Sequence, residues 1–510
     1  MDDSLPTSNQ GLGAVNHPPD PAIHAPESLG DQVRTAVIWR SGSQIVAQLV
    51  MWASTFLVIR ILSPADYGLF AMTQVVLVLL AMLDGYGLSS GLIQQRDVTE
   101  RQIRQLFGML ILLNLGLALA QVALAPWAAA YYRQPRVADL LRWQALLYLP
   151  TPFIALSYAL LCRRMDFKRQ AHVFTIASIA SAGAALAGAL AGMGVWTLVL
   201  APIVLFTVRA VGMTIAAGGL VRPSFDFRGA AHLARYGSVM ALGSFFWFVQ
   251  SQADIFIAGR QLSAHALGLY STALFLTQIF VSKFVPPLNE VAFSAYAKIQ
   301  HDDEAVASAF AKSVRIIMLA AMPFYLGLAV TAEPLVLTVL GDKWREAIPI
   351  VHLLAFAMPF MTVQVLFTPA CDARGRPGIG VWNGATGSAI LFAAFLIGVR
   401  WGPTGLAWAW IGGYPIYLAV SAWRSLPVIG LSVRGLIEAV LPAAVAGGVM
   451  AMSVALLRSV LPSLLPVAEL AILVTAGAAV YGAWMLVFAR GAVAELAALV
   501  FRKRLPAQAC

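Results

Sequence analysis

Charge is scarce in this sequence: Asp, Glu, Lys and Arg make up 11% of 510 residues, while 60% are hydrophobic and the mean hydropathy is +0.78. So few polar groups cannot cover the surface of a water-soluble fold of this length, and that class is excluded. Cysteine is nearly absent. Cys162, Cys371 and Cys510 lie far apart without CxxC spacing, so neither a disulfide framework nor a zinc site is indicated. The histidines form no HExxH or other close ligand pairing. No Gly-Lys dipeptide occurs, which rules out a P-loop, and no cofactor is expected. Energy must then come from an H+ or Na+ gradient, or from consumption of a product. Residues 1–33 lack any apolar run, carry five prolines and lack the basic start of a signal peptide, so they read as a disordered cytoplasmic tail.

What the chain has is long apolar runs. A spanning helix needs roughly 20 apolar residues. Runs separated by charge clusters predict spans near 36–59, 67–93, 106–130, 143–162, 170–192 and 195–220, then 236–258, 267–297, 314–340, 348–371, 378–399 and 403–423. Two more follow near 435–457 and 464–489, with a kink expected at Pro286-Pro287. The fold class is therefore an all-α polytopic membrane protein of about fourteen transmembrane helices. Twenty-three of the 34 Lys and Arg fall on one side of these spans and nine on the other, which predicts both termini in the cytoplasm. Net charge of +10 therefore reflects topology, and nucleic acid is not an expected partner.

A shift of 200 residues aligns Arg60-x-Leu62-Ser63 and Gly68-Leu69-Phe70 with Arg260-x-Leu262-Ser263 and Gly268-Leu269-Tyr270. One copy follows span one and the other span seven. Leu146-Leu147 with Pro152-Phe153 in span four likewise resembles Leu353-Leu354 with Pro359-Phe360 in span ten. Six spans separate the copies, so they point the same way. This predicts two pseudo-symmetric six-helix lobes, 34–222 and 223–425, about a cavity near the midplane. Residues 426–490 add two helices, and 491–510 form a cytoplasmic tail.

Four segments resemble the oligosaccharide flippases, or polysaccharide transporters, of the multidrug/oligosaccharidyl-lipid/polysaccharide exporter superfamily. They are the Leu62–Phe70 turn, Arg163-Arg164-Met165-Asp166-Phe167, Pro287-Leu288-Asn289, and Leu340-Gly341-Asp342-Lys343-Trp344 with Ala347 and Pro349. The resemblance implies a carrier, not an enzyme, working by alternating access in a bacterial inner membrane. Its implied substrate is an oligosaccharide on a polyprenyl pyrophosphate, flipped from the cytoplasmic to the periplasmic leaflet for surface polysaccharide, lipopolysaccharide or exopolysaccharide assembly. A polysaccharide polymerase and export machinery are the implied partners beside the lipid bilayer.

A charge at the bilayer centre costs about 2.5 to 3.5 kcal/mol, so each must pair, snorkel or line a cavity. Arg209 lies deep in span six; it either contacts a phosphate through its planar guanidinium or pairs with a carboxylate such as Asp84. Lys283 either meets the same pyrophosphate from the other lobe or pairs with Glu290, seven residues on and on the same helix face. Arg40, at the mouth of span one, attracts the anionic head or anchors topology. Asp84, Asp254 and Glu290 are the ion-coupling candidates; Asp84 and Asp254 read equally as polar residues near an interface. Glu333, before Pro334, marks a kink or a span end.

Two other classes remain. A multidrug or small-cation antiporter of the same superfamily would favour carboxylates in its cavity, against Arg209 and Lys283. A membrane glycan polymerase or ligase would need a sizeable external loop. The longest expected here, 131–142, is too short for one.

Overall fold

The computed structural model describes residues 48–83, 92, 98–226 and 231–488, with no strand among them. Arg40, Asp84 and the two expected tails, 1–33 and 491–510, lie outside the described residues. The chain runs through α1 (Gln48–Ile61), α2 (Pro64–Ala81), α3 (Glu100–Tyr132), α4 (Arg136–Gln144), α5 (Thr151–Arg163) and α6 (Phe167–Leu190). Then come α7 (Trp196–Ala216), α8 (Ala231–Gln261), α9 (Ala264–Lys283), α10 (Val285–Lys298), α11 (Asp303–Val330) and α12 (Ala332–Val339). The last six are α13 (Ile348–Gln364), α14 (Phe367–Ala373), α15 (Pro377–Gly398), α16 (Gly402–Ile429), α17 (Val433–Val460) and α18 (Pro466–Phe488).

Among the described residues, eleven segments are long and apolar enough to cross a membrane, so this is a multi-pass membrane protein. Large apolar side chains such as Leu119, Ile215 and Met452 are correspondingly exposed, as contact with lipid requires. Eleven falls short of the expected fourteen. Part of the difference is that Pro377–Ile429 counts as one segment although it holds α15 and α16, and the described part of α1 is too short to count.

Helix starts follow from local chemistry. Ser63 caps α2: its Oγ accepts from the Asp66 N–H (3.3 Å), Asp66 Oδ2 accepts from the Ser63 N–H (3.0 Å), and Pro64 occupies the first turn. Ser263 caps α9 through its Oγ alone, accepting from the Ala266 N–H at 3.2 Å, with no reciprocal bond because Ala266 has no acceptor side chain. The Pro286-Pro287 pair splits the expected long span into α9 and α10 at Phe284. The expected 131–142 loop is instead a short turn at Arg133, which takes a left-handed conformation, followed directly by α4. Span nine also breaks, at Thr331, before Glu333 and Pro334.

The span-four and span-ten resemblance does not carry into matching geometry. Pro152 sits in the first turn of α5, after a 3-10 turn at Ala145–Tyr148, whereas Pro359 lies inside α13.

Helices α6 and α7 pack on each other and α5 packs on α7, while α15, α16, α13 and α11 pack in series farther along the chain. The two groups meet where α2 crosses α9 and leans on α8. Glycine makes that crossing possible: a Cβ on Gly68 would overlap the Ala264 carbonyl, and one on Gly268 would overlap the Pro64 carbonyl. The 200-residue repeat thus folds back on itself as a reciprocal backbone contact. Helix α17 lies on α11 with Gly447 against Leu326 and Met322, and α18 lies on α17. Arg458 of α17 binds both Glu333 of α12 and Glu469 of α18, the latter at 2.8 Å.

Candidate functional site: a chamber under a latched face

The crossing of α2 and α9 is one part of a larger closure. The last carbonyls of a helix have no intrahelical partner and form its negative end. At this face four donors reach such carbonyls across the divide. Arg60 Nη1 donates to Thr338 O at 2.6 Å, at the end of α12. Arg260 donates to Ala130 O at 3.3 Å and to Tyr131 O, at the end of α3. Lys343 Nζ donates to Ile61 O at 2.9 Å, and Trp344 Nε1 to Ile59 O at 3.0 Å, both at the end of α1. Gly341, at φ +94°, supplies the backbone turn that presents Lys343 and Trp344. Aromatic contacts reinforce the seal: Tyr67 meets Trp344 edge to face at 5.6 Å, and Tyr131 stacks on Phe256 at 4.6 Å.

Directly beneath this latch lies a chamber of about 540 Å³, walled by α1, α2, α6 and α7 on one side and by α8 and α9 on the other. It runs from Tyr67, Thr197 and Ile59 near the latch down to Val78, Leu205 and Gln278. It is centred on the middle of α2 and α9 and on the latch-side halves of α6, α7 and α8. Its polar groups are Ser, Thr, Tyr and Gln; no Lys, Arg, His, Asp or Glu is among its described lining residues.

None of the described ionisable candidates, Arg209, Asp254, Lys283 and Glu290, lines it. Arg209 is half-buried in α7, with its guanidinium 5.7 Å from the centre of the Phe174 ring on α6. It lies four residues past Leu205, or about 6 Å farther from the latch at 1.5 Å per residue. Lys283, exposed at the end of α9, lies five residues past Gln278, about 7.5 Å along the same direction. Both cations therefore stand beyond the chamber's far end, one from each helix group. Glu290 is exposed on α10 and forms no ion pair with Lys283, because the helix ends at Lys283 and restarts at Val285, which breaks the seven-residue register. Arg40 and Asp84 lie outside the described residues.

Asp254 is fully buried behind the chamber wall, next to the lining residue Ile255. It accepts hydrogen bonds from Tyr270 Oη at 2.7 Å and from the Ile255 N–H at 2.8 Å. Trp410 Nε1 in turn donates to Tyr270 Oη at 2.7 Å, and Trp410 stacks on Tyr414 at 4.9 Å. This chain joins α8, α9 and α16. No described Lys or Arg pairs with Asp254; its carboxylate is held by these neutral donors.

Sequence reasoning did not single out the chamber glutamines, Gln74, Gln252 and Gln278, whose signal was a neutral amide inside an apolar run. Arg60 and Arg260 stood out as a repeat, and Lys343 and Trp344 as a family motif. Their shared role across the divide required the fold.

Among known proteins, the chain is similar to the succinoglycan biosynthesis transport protein ExoT of Rhizobium meliloti, 28% identical over 63% of this chain and 65% of the relative. The match thus spans just under two thirds of ExoT. The teichuronic acid biosynthesis protein TuaB of Bacillus subtilis is 23% identical over 81% of this chain and 86% of its own length. The lipopolysaccharide biosynthesis protein WzxC of Escherichia coli is 22% identical over 64% and 67%. The fold is shared with the lipid II flippase MurJ in an inward closed conformation, at a TM-score of 0.73 and 14% identity, covering 89% of this chain and 100% of the other. It is also shared with an inward-facing multidrug resistance MATE family transporter of the MOP superfamily, at 0.58 and 14%, covering 77% and 98%. The sequence profile of the polysaccharide biosynthesis protein family matches residues 57–349, more than half of the chain, and the protein belongs to that family.

Proposed function

We propose that this protein carries a polyprenyl-pyrophosphate-linked oligosaccharide from the cytoplasmic to the periplasmic leaflet of a bacterial inner membrane by alternating access. The observation that carries this reading is the chamber: it lies on the plane dividing two helix groups and is sealed at one end by side chains that reach across that plane. Such contacts form and break as two bodies rock, which is how one site opens to each side in turn. The bodies are the lobes 34–222 and 223–425, with 426–490 carried on the second. The names of ExoT, as a transport protein, and of WzxC, in lipopolysaccharide biosynthesis, support a lipid-linked glycan as cargo.

The Lys and Arg distribution puts both termini in the cytoplasm and the latched face in the periplasm. Arg209 and Lys283 then stand on the cytoplasmic side of the chamber, where they hold the pyrophosphate after Arg40 has attracted it. Asp254 takes up the coupling ion, H+ or Na+, with Asp84 and Glu290 as further carboxylates on the ion's route. The protein works as a carrier without a bond-breaking step, and a polymerase and export machinery receive its product. The absence of carboxylates among the described lining residues of the chamber disfavours a cationic drug as cargo.

Complementation tests this reading. Cells depleted of the protein accumulate undecaprenyl-linked glycan on the cytoplasmic side. Wild-type protein clears it, and Arg209→Ala at equal membrane abundance does not. Normal glycan export in depleted cells overturns the function; normal export with Arg209→Ala removes that residue from the path.

A further inference from the structure

A pyrophosphate inside this chamber would lose water without meeting a cation among the described lining residues, and burying an unpaired charge is costly. The walls offer something else. Gln74 projects from one helix group, and Gln252 and Gln278 from the other. Each amide brings two N–H donors and a carbonyl acceptor, and none of the three is hydrogen-bonded to another described residue. Tyr67, Phe70 and Phe275 add aromatic surface to the same walls. Amides that pair vicinal hydroxyls, beside ring faces that cover sugar C–H groups, make a surface for carbohydrate without charge.

We propose that the chamber selects an uncharged glycan. The neutral sugars of the cargo sit between Gln74 on one side and Gln252 and Gln278 on the other, while the pyrophosphate stays beyond the chamber's end beside Arg209 and Lys283. A uronic acid in the same place puts a carboxylate among described lining groups that include no cation, so acidic repeat units are rejected. The proposal rests on the carrier reading above and adds a specificity to it.

Binding to the purified full-length protein in lipid nanodiscs tests it with three probes. They are undecaprenyl pyrophosphate alone, the same lipid bearing a neutral hexose tetrasaccharide, and that tetrasaccharide with one hexose oxidised to a uronic acid. The neutral sugars strengthen binding over the bare lipid by about tenfold or more, the net effect of one or two hydrogen bonds, and the uronic acid removes that gain. The triple variant Gln74→Leu, Gln252→Leu, Gln278→Leu binds the neutral probe no better than the bare lipid. Gln278→Lys supplies the missing cation and turns the preference toward the uronic acid probe, a gain that misfolding cannot produce. Equal affinity of wild type for neutral and acidic probes, or an unchanged preference in Gln278→Lys, overturns the proposal and leaves the carrier reading standing. Failure of wild type to bind any of the three lipids overturns both.

Discussion

Asp254 is the one fully buried charged side chain among the described residues. Its two hydrogen bonds come from neutral donors, Tyr270 and the Ile255 amide, so its charge has no fixed counterpart there. Asn at this position keeps the shape and still accepts from Tyr270, but it lacks the charge on which the proposed ion coupling depends. Asp254→Asn should therefore fold with stability near wild type while flipping in liposomes stops responding to an imposed H+ or Na+ gradient. A gradient response equal to wild type in that variant would remove Asp254 from coupling. Rarity made Asp254, Arg209 and Lys283 visible in the sequence, since an ionisable group in an apolar run always asks for an explanation. The chamber glutamines gave no such signal, because a neutral amide in a span is cheap enough to pass as packing. Depth along a helix was also legible for Arg209, but its neighbour Phe174 on α6 was not, since that contact depends on how α6 and α7 rotate against each other.

Helices meet the divide through their ends, and that is where the latch acts. Arg60 and Arg260 each bring a permanent charge to the negative end of a helix in the opposite group, at an exposed site where solvent weakens each contact to about 1 kcal/mol. Removing both should then move the closed-to-open balance by about 2 kcal/mol, or roughly thirtyfold. Spin labels at positions 136 and 346, in a variant without native cysteines, measure this across the latched face. Arg60→Ala with Arg260→Ala should add a longer-distance population, and each single variant a smaller one. An unchanged distance distribution in the double variant would show that the glycine crossing and the aromatic contacts close this face unaided. The repeat that contains both arginines was readable in sequence, and so was the proline break after Lys283. The same break defeated the Lys283–Glu290 pairing: a seven-residue spacing places two side chains on one face only while the helix is continuous, and Phe284 interrupts it. Short helices such as α4 and α12 escaped because their apolar content merges with the neighbouring span, and only backbone geometry separates them.

For the molecule as a whole, direction is the remaining physical question, because a chamber sealed at one end means opposite things depending on which compartment that end faces. The fold by itself is indifferent: turning the protein over in the bilayer leaves the latch and chamber untouched. Orientation is instead expected from the charges between spans, which predict that the turn after α3, near Gln134, lies opposite the C-terminus. Alkaline phosphatase, which folds to an active form only in the oxidising periplasm, should be active when inserted at Gln134 and silent when fused after Arg504. That pair of results makes the latched face periplasmic. The described conformation is then closed to the periplasm, with Arg209 and Lys283 on the side from which a cytoplasmic substrate arrives. The opposite pair, silent at Gln134 and active after Arg504, would put those cations at the exit and require the cargo to enter through the latch, which reverses the path through the protein and overturns the orientation expected from the charge distribution.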